Sequence, residues 1–261
     1  MYEAYWGLRE KPFENSPDPR YLFQSVEHRA AIESLAYAVN ERKGGALLTG
    51  DYGCGKTLLI RVLAQVLHKN GTNVAVINYP RLTGAEMLRE MLYQLGSDLN
   101  TTSKLRLSRT IGDILHKTAL AGKHTLLIID EAQVIEKKAI LEELRLLLNY
   151  QMNDRFLLTL LLAGQPELRE QVSAIPQLDQ RLAVRAHLHN FDLTDTAQYI
   201  SYRTQIAGAG RPIFTDDAIE TIYNHSFGCP RRINNLGDMC LFRGFQRAVE
   251  KVDSALVKQV A

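Results

Sequence analysis

The chain has 261 residues, 46% hydrophobic and 23% charged, with a net charge of +2. Such a length holds one large domain, or a large and a small one, and buries a core without staples; so small a net charge does not by itself imply a nucleic-acid partner. Three scattered cysteines, Cys54, Cys229 and Cys240, suggest neither a disulfide framework nor a zinc site and point to the cytoplasm, while the start of the chain lacks a signal peptide and the longest apolar run, Phe156 to Ala163, is far shorter than the ~20 residues of a bilayer span.

The opening segment, to about Ser25, is rich in proline and aromatics (Pro12, Phe13, Pro17, Pro19, Tyr21, Phe23) and reads as ordered and extended rather than helical. Trp6 and its aromatic neighbours are expected to pack this segment onto the core. Ser25 has the place of an N-cap for an amphipathic helix from Val26 to Arg42. Apolar strands then alternate with helices. Strands are expected at Ala46–Thr49, Val74–Tyr79, His124–Asp130, Phe156–Ala163 and Arg185–His189. Helices are expected at Lys56–Asn70 (stopped by Gly71), Gly84–Leu95, Leu107–Ala121 and Lys137–Asn149. This alternation predicts a parallel sheet covered on both faces. After Asp192 the strands cease. Thr194 or Asp195 caps a helix to about Ala207, Thr215 caps one to Ser226, another runs from Pro230 to about Ala248, and Ser254 starts a short last helix. The fold class is α/β: a three-layer P-loop domain with a parallel sheet over 1–192, including the N-terminal segment, and a small helical lid domain over 193–261.

Gly50-Asp51-Tyr52-Gly53-Cys54-Gly55-Lys56-Thr57 matches the phosphate-binding loop G-x-x-x-x-G-K-[ST]. A strand precedes it and a helix opens at it, so the glycines can turn successive N–H groups, backed by the helix N-terminus, toward phosphates. Gly50 to Thr57, with Leu58 beyond, are therefore the nucleotide-binding candidates; Lys56 would bridge the β- and γ-phosphates and Thr57 would ligate Mg²⁺. Asp130, after a run of Leu and Ile, is costly to bury without a partner such as a metal-bound water. Glu131 next to it could orient or deprotonate the attacking water. Gln165 ends the strand expected beside the P-loop strand and could hydrogen-bond the γ-phosphate or that water. Arg181, or second to it Arg185, could reach a neighbouring subunit's nucleotide as an arginine finger. Arg231 sits in the first turn of a helix, where its charge is badly placed for the helix dipole, and could meet the γ-phosphate. Cys54, inside the loop, reads as a tolerated position rather than a redox switch. No Asn-Lys-x-Asp run for guanine is present, so ATP with Mg²⁺ is the expected cofactor pair.

Taken together, the P-loop, Asp130-Glu131, Gln165, Arg181 and Gly228-x-Pro230-Arg231 resemble an AAA+ ATPase. Tyr5-Trp6-Gly7-Leu8-Arg9-Glu10-Lys11-Pro12-Phe13, Ser16-Pro17-Asp18-Pro19, Ser25-x-x-His28 and Leu162-Ala163-Gly164-Gln165-Pro166-Glu167-Leu168 are similar to the ExeA, or general secretion pathway protein A, group. The resemblance implies an oligomeric ATPase, a ring or filament such as a hexamer. In it Asp130 holds the metal, Glu131 is catalytic, Gln165 is sensor 1, Arg181 the trans arginine and Arg231 sensor 2, while the stretch from Tyr21 to His28 borders the adenine. Secretion-type members continue into a transmembrane helix and a peptidoglycan-binding domain, neither of which this sequence contains. The soluble MSHA-pilus type and the ATPases that regulate transposition are thus the expected relatives. Two functions follow as expectations: an ATP-hydrolysing switch that assembles or remodels a protein complex in secretion or pilus machinery, or an ATP-dependent DNA-binding regulator of transposition type. Lys104, Arg106, Arg109, Arg243 and Arg247 are the basic residues available to the second.

Overall fold

A computed structural model describes residues 1–153 and 155–261. The chain divides into two compact units: residues 29–50 with 60–188, and residues 1–28 with 51–59 and 189–261.

The first of these units is built on a parallel sheet of five strands, β1 (Gly45–Gly50), β2 (Asn73–Ile77), β3 (Thr125–Ile129), β6 (Leu158–Gly164) and β7 (Leu182–Leu188), in the order β2-β3-β6-β1-β7. The sequence explains that order. β1, β3 and β6 are buried at every residue, which a strand achieves only between neighbours and under cover on both faces. β2 and β7 carry intermediate or exposed positions and lie at the edges. Thr49 is in register with Gly164, and Ile129 with Leu162, so the C-terminal ends of β1, β6 and β3 share one edge of the sheet. Helices α4 (Gly84–Gln94), α5 (Lys104–Leu120) and α6 (Lys138–Leu147) add Met87, Leu88, Leu107, Ile111, Leu141 and Leu144 to the same core. Thr83 starts α4 with a reciprocal capping box to Glu86, and Ser103 caps α5, which begins at Lys104, three residues before the expected Leu107.

The other unit joins the helical tail to the beginning of the chain. Its helices are α9 (Leu193–Ile206), α10 (Asp216–Ser226), α11 (Pro230–Gln246) and α12 (Ser254–Val260). The cap of α9 is Asp192, whose carboxylate accepts the Asp195 N–H at 2.7 Å, and not Thr194 or Asp195. The opening segment is not wholly extended: Glu3–Trp6 forms one short helical turn, α1, ended by Gly7 in the left-handed region, and Pro19–Tyr21 forms a 3₁₀ turn. Trp6 is buried and donates its indole N–H to the Leu241 carbonyl at 2.9 Å. Gly237 and Gly244, seven residues apart on one face of α11, make the room: a Cβ on Gly237 would lie 2.8 Å from the Phe13 ring, and one on Gly244 2.7 Å from Trp6. Burying such a ring is worth about 1.5–3 kcal/mol. Arg203 on α9 fastens the segment further. Its guanidinium donates to the carbonyls of Pro12 and Glu14 and to the Tyr199 hydroxyl, and lies 4.5 Å from the Tyr21 ring centroid. Three oxygen acceptors and the faces of Tyr21 and Tyr199 compensate this buried charge in place of a carboxylate.

α2 (Val26–Asn40) and α3 (Lys56–Lys69) match the expected helices but end short of Arg42 and Asn70; outside the sequence expectation lie the two-residue strands β4 (Gln151–Met152) and β5 (Arg155–Phe156), a small antiparallel pair, and α7 (Glu167–Ser173) and α8 (Pro176–Asp179), which fill the interval before β7. β7 starts at Leu182 rather than Arg185 because its exposed positions hide an edge strand from a pattern search.

Candidate nucleotide site

The chain leaves β1 at Gly50 and enters the loop Asp51–Gly55, with Gly53 at φ +75 and Gly55 at φ +102. Those backbone angles are why two glycines stand there. Lys56, only 7% exposed, opens α3 and donates its Nζ to the Asp51 carbonyl at 2.7 Å. Tyr52 is exposed, and Thr57 and Leu58 follow in the first turn of α3, half-buried. Cys54 is fully buried, and burial pushes its thiol up despite the adjacent Lys56, which removes any thiolate character a helix N-terminus could confer.

Three side chains from elsewhere in the same unit meet this loop. A Cβ on Gly53 would lie 2.8 Å from Cβ of Arg231 and 3.0 Å from Sγ of Cys229, so only glycine lets the start of α11 lie this close. The Cys229 thiol donates to the Tyr52 carbonyl at 3.2 Å. Arg231 therefore starts beside the loop and is exposed. The third side chain is His28, with Nε2 3.0 Å from the Cys54 carbonyl oxygen and Nδ1 2.8 Å from Ser25 Oγ. The resemblance placed His28 only in the stretch bordering the adenine and gave Cys229 no role; a cysteine before Pro230 and a lone histidine carry no spacing that points to a loop far away in sequence.

The acids belong to the sheet unit. Asp130 follows β3, is 3% exposed, and accepts the Glu131 N–H at 2.9 Å. Glu131 has φ +53, a left-handed conformation uncommon for a non-glycine residue and typical of functional turns. Its carboxylate accepts the Gln133 amide at 2.6 Å, while Gln133 Oε1 accepts the Gln165 N–H at 3.2 Å. Gln133, which the sequence reading passed over, thus ties Glu131 to the tip of β6, and β6 is the neighbour of β1, as expected. A Cβ on Gly164 would crowd Gln133 Oε1, so the glycine before Gln165 clears this bridge. Arg181, at the start of β7, is half-buried, and its Nη1 is buried with no hydrogen-bond partner among the described residues. Arg185 differs: its Nη2 is bound to the Asp179 carboxylate at 2.8 Å and to the Asp179 carbonyl at 2.9 Å. Among the described residues there is no cluster of three or more His, Cys, Asp or Glu suited to a metal. Thr57 and Asp130 each carry an oxygen donor of the hard kind that Mg²⁺ takes.

The proposed basic residues divide between the units. Lys104, Arg106 and Arg109 are on α5, where Lys104 is paired with Glu143; Arg243 and Arg247 are at the end of α11 and bond to Gln246 and Gln259. No helix among the described residues is long and apolar enough to cross a membrane.

Comparison with known proteins agrees with these motifs. The AAA domain family matches residues 39–172. General secretion pathway protein A of Aeromonas hydrophila is 38% identical over 256 residues, which cover 97% of this chain and 46% of that protein, so the chain spans less than half the relative's length. Among solved structures, the Aeropyrum pernix ORC2 protein in its ADPNP–ADP complexes superposes with a TM-score of 0.72 at 17% identity, covering 96% of this chain and 70% of that one. The Aeropyrum pernix ORC1 protein in complex with DNA gives 0.69 at 16% identity, covering 97% and 68%. At such identities these two likenesses show the P-loop α/β fold. With a family match across half its length, the chain belongs to the AAA domain family, and its likeness to General secretion pathway protein A puts it in the ExeA group of AAA+ ATPases.

Proposed function

We propose that the protein binds ATP at Gly50–Leu58, hydrolyses it, and uses the cycle as an oligomeric switch that assembles or remodels a protein complex of secretion or pilus type in the cytoplasm. The observation that carries the reading is the edge of the sheet. β1 runs into the glycine loop, β3 into Asp130 and Glu131, and β6 into Gln165, with the three strands parallel and in register. In this reading the loop N–H groups and Lys56 bind the phosphates, and Thr57 and Asp130 hold the magnesium. When bound with the nucleotide, that ion supplies neutralisation of phosphate charge. Glu131, held by Gln133, orients the attacking water and takes its proton. Gln165 hydrogen-bonds the water or the γ-phosphate. Arg231 reads the γ-phosphate from the start of the lid, and Arg181 reaches the nucleotide of the adjoining subunit. Arg185 is the weaker choice for that task because Asp179 already holds it. The lid that responds to the nucleotide would be residues 193–261. The secretion assignment rests on General secretion pathway protein A, and the whole of that longer protein's activity is carried over only as part of this proposal.

The test is the rate of ATP hydrolysis together with particle mass, with and without nucleotide and with and without duplex DNA. A switch of the proposed kind gains mass with ATP and turns over without DNA. Turnover or assembly that requires DNA, with affinity falling steeply as salt rises, would instead favour the transposition-type regulator.

A further inference from the structure

His28 is 2% exposed and lies nowhere near Lys56 in sequence, yet both of its ring nitrogens are committed. A carbonyl oxygen can only accept, so the nitrogen 3.0 Å from the Cys54 oxygen, Nε2, carries the proton. Nδ1 then accepts from the Ser25 hydroxyl at 2.8 Å, and the same Ser25 Oγ accepts the His28 backbone N–H at 3.3 Å. Burial holds the imidazole below its ordinary range, against the pull of the Cys54 carbonyl and of Glu27, which keeps it in this neutral form. On its other side the ring rests against Phe191, with centroids 5.6 Å apart. A Cβ on Gly55 would lie 3.3 Å from Nε2, so the glycine allows the ring to reach the loop.

The consequence follows from the planarity of one peptide. The Cys54 carbonyl and the Gly55 N–H are opposite ends of the same trans unit, so fixing the direction of the oxygen fixes the direction of the hydrogen. Gly55 has φ +102, a region in which glycine has wide freedom, and nothing in its own side chain restrains that peptide. We propose that His28 is a positioning residue of the phosphate loop, its Nε2–H anchoring the Cys54 carbonyl so that the Gly55 N–H is turned away from the ring and toward the bound phosphate, with Ser25 selecting the required tautomer. The proposal rests on the nucleotide-binding reading of the loop and adds to it a residue outside the motif.

Binding of MgATP, ADP and inorganic pyrophosphate to the full chain, measured by calorimetry for wild type, His28→Leu and His28→Gln, tests this. Losing one aligned hydrogen bond to a charged phosphate weakens binding by about tenfold. His28→Leu, which keeps apolar contact with Phe191 but has no donor, should therefore lose about tenfold for all three ligands alike. Gln can place its amide N–H near Nε2, so His28→Gln should recover most of the affinity. Nitrogen NMR of the nucleotide-free wild type should show Nε2 protonated and Nδ1 bare, a readout that needs neither a variant nor a ligand. The proposal fails if His28→Leu binds as wild type does, if His28→Gln falls as far as His28→Leu, or if the proton sits on Nδ1. Wild type that binds none of the three sinks the nucleotide reading itself, whereas wild-type binding with an unaffected His28→Leu sinks only the role of His28.

Discussion

Gly228 offers a sharp quantitative test of how the segment before α11 is held. It has φ +69, its carbonyl accepts the Phe191 N–H at 2.9 Å, and its N–H donates to Ser226 Oγ at 3.2 Å. A Cβ at this position would overlie the Phe191 carbonyl oxygen and stand 2.8 Å from the carbonyl carbon. Those are backbone atoms, so no rotamer change relieves the overlap. Gly228→Ala accordingly carries about 1–2 kcal/mol for the left-handed conformation. To this is added about 0.5–1.5 kcal/mol for the lost hydrogen bond and about 1–3 kcal/mol for buried groups left unpaired. The total is about 2.5–6.5 kcal/mol, which corresponds to a fall in Tm of roughly 8–20 °C for a chain of this size. Gly122 is the control: it has φ +75 but nothing within 4 Å of an added Cβ. Gly122→Ala incurs only the conformational part, about 1–2 kcal/mol or roughly 4 °C. Thermal unfolding followed by circular dichroism measures both. Equal melting temperatures for the two variants would refute the argument that contact with Phe191, rather than backbone conformation alone, makes Gly228 indispensable.

Three further outcomes are expected. Glu131→Gln should bind ATP with wild-type affinity while hydrolysis falls by at least about 10²-fold, in line with removal of a general base; normal turnover in a phosphate-release assay would dismiss Glu131 as the base. Arg181→Ala should bind nucleotide normally, lose hydrolysis, and lower the activity of wild-type subunits when the two are mixed; mixtures that merely show dilution would exclude a role in trans. Buried His124, whose Nε2 is 2.8 Å from Thr159 Oγ1, is held down to about 4 from its ordinary 6.5, by burial first and the Arg42 charge second. Between those two values the unfolded chain binds the extra proton and the folded chain does not, so stability declines as pH drops from 6.5 toward 4, by at most about 3 kcal/mol. Urea midpoints across that window should decline less steeply for His124→Gln, and an unchanged slope would rule His124 out as a source of the acid sensitivity.

The central part of the fold could be read from sequence because it is carried by short-range signals. Apolar runs dominated by Leu and Ile in β3 and by Leu in β6 announce strands buried on both faces, and the glycines and Lys56 of the loop are needed for local reasons of backbone angle and charge. The same signals weaken at the edges: β7 mixes buried and exposed residues, so only its second half was recognisable. What escaped the sequence is long-range. Gly237 and Gly244 look like weak points of a helix until Phe13 and Trp6 are seen to occupy the space they leave. Arg203 reads as a surface charge until the carbonyls of Pro12 and Glu14 arrive from the start of the chain. His28, Gln133 and Cys229 contribute through single hydrogen bonds to the nucleotide loop or to Glu131, and a single hydrogen bond to a distant residue leaves no periodicity or spacing behind. The positive φ of Glu131 is equally invisible from its identity, since Glu has no preference for that region.

The whole account depends on one magnesium nucleotide being held by the loop after β1. The direct measurement is calorimetric titration of MgATP into the wild-type chain and into Lys56→Ala, with phosphate release followed in parallel. The account predicts saturable one-to-one binding per chain with slow release of phosphate for wild type, and neither for Lys56→Ala. Wild type with no affinity for MgATP, or Lys56→Ala binding it equally well, would contradict it.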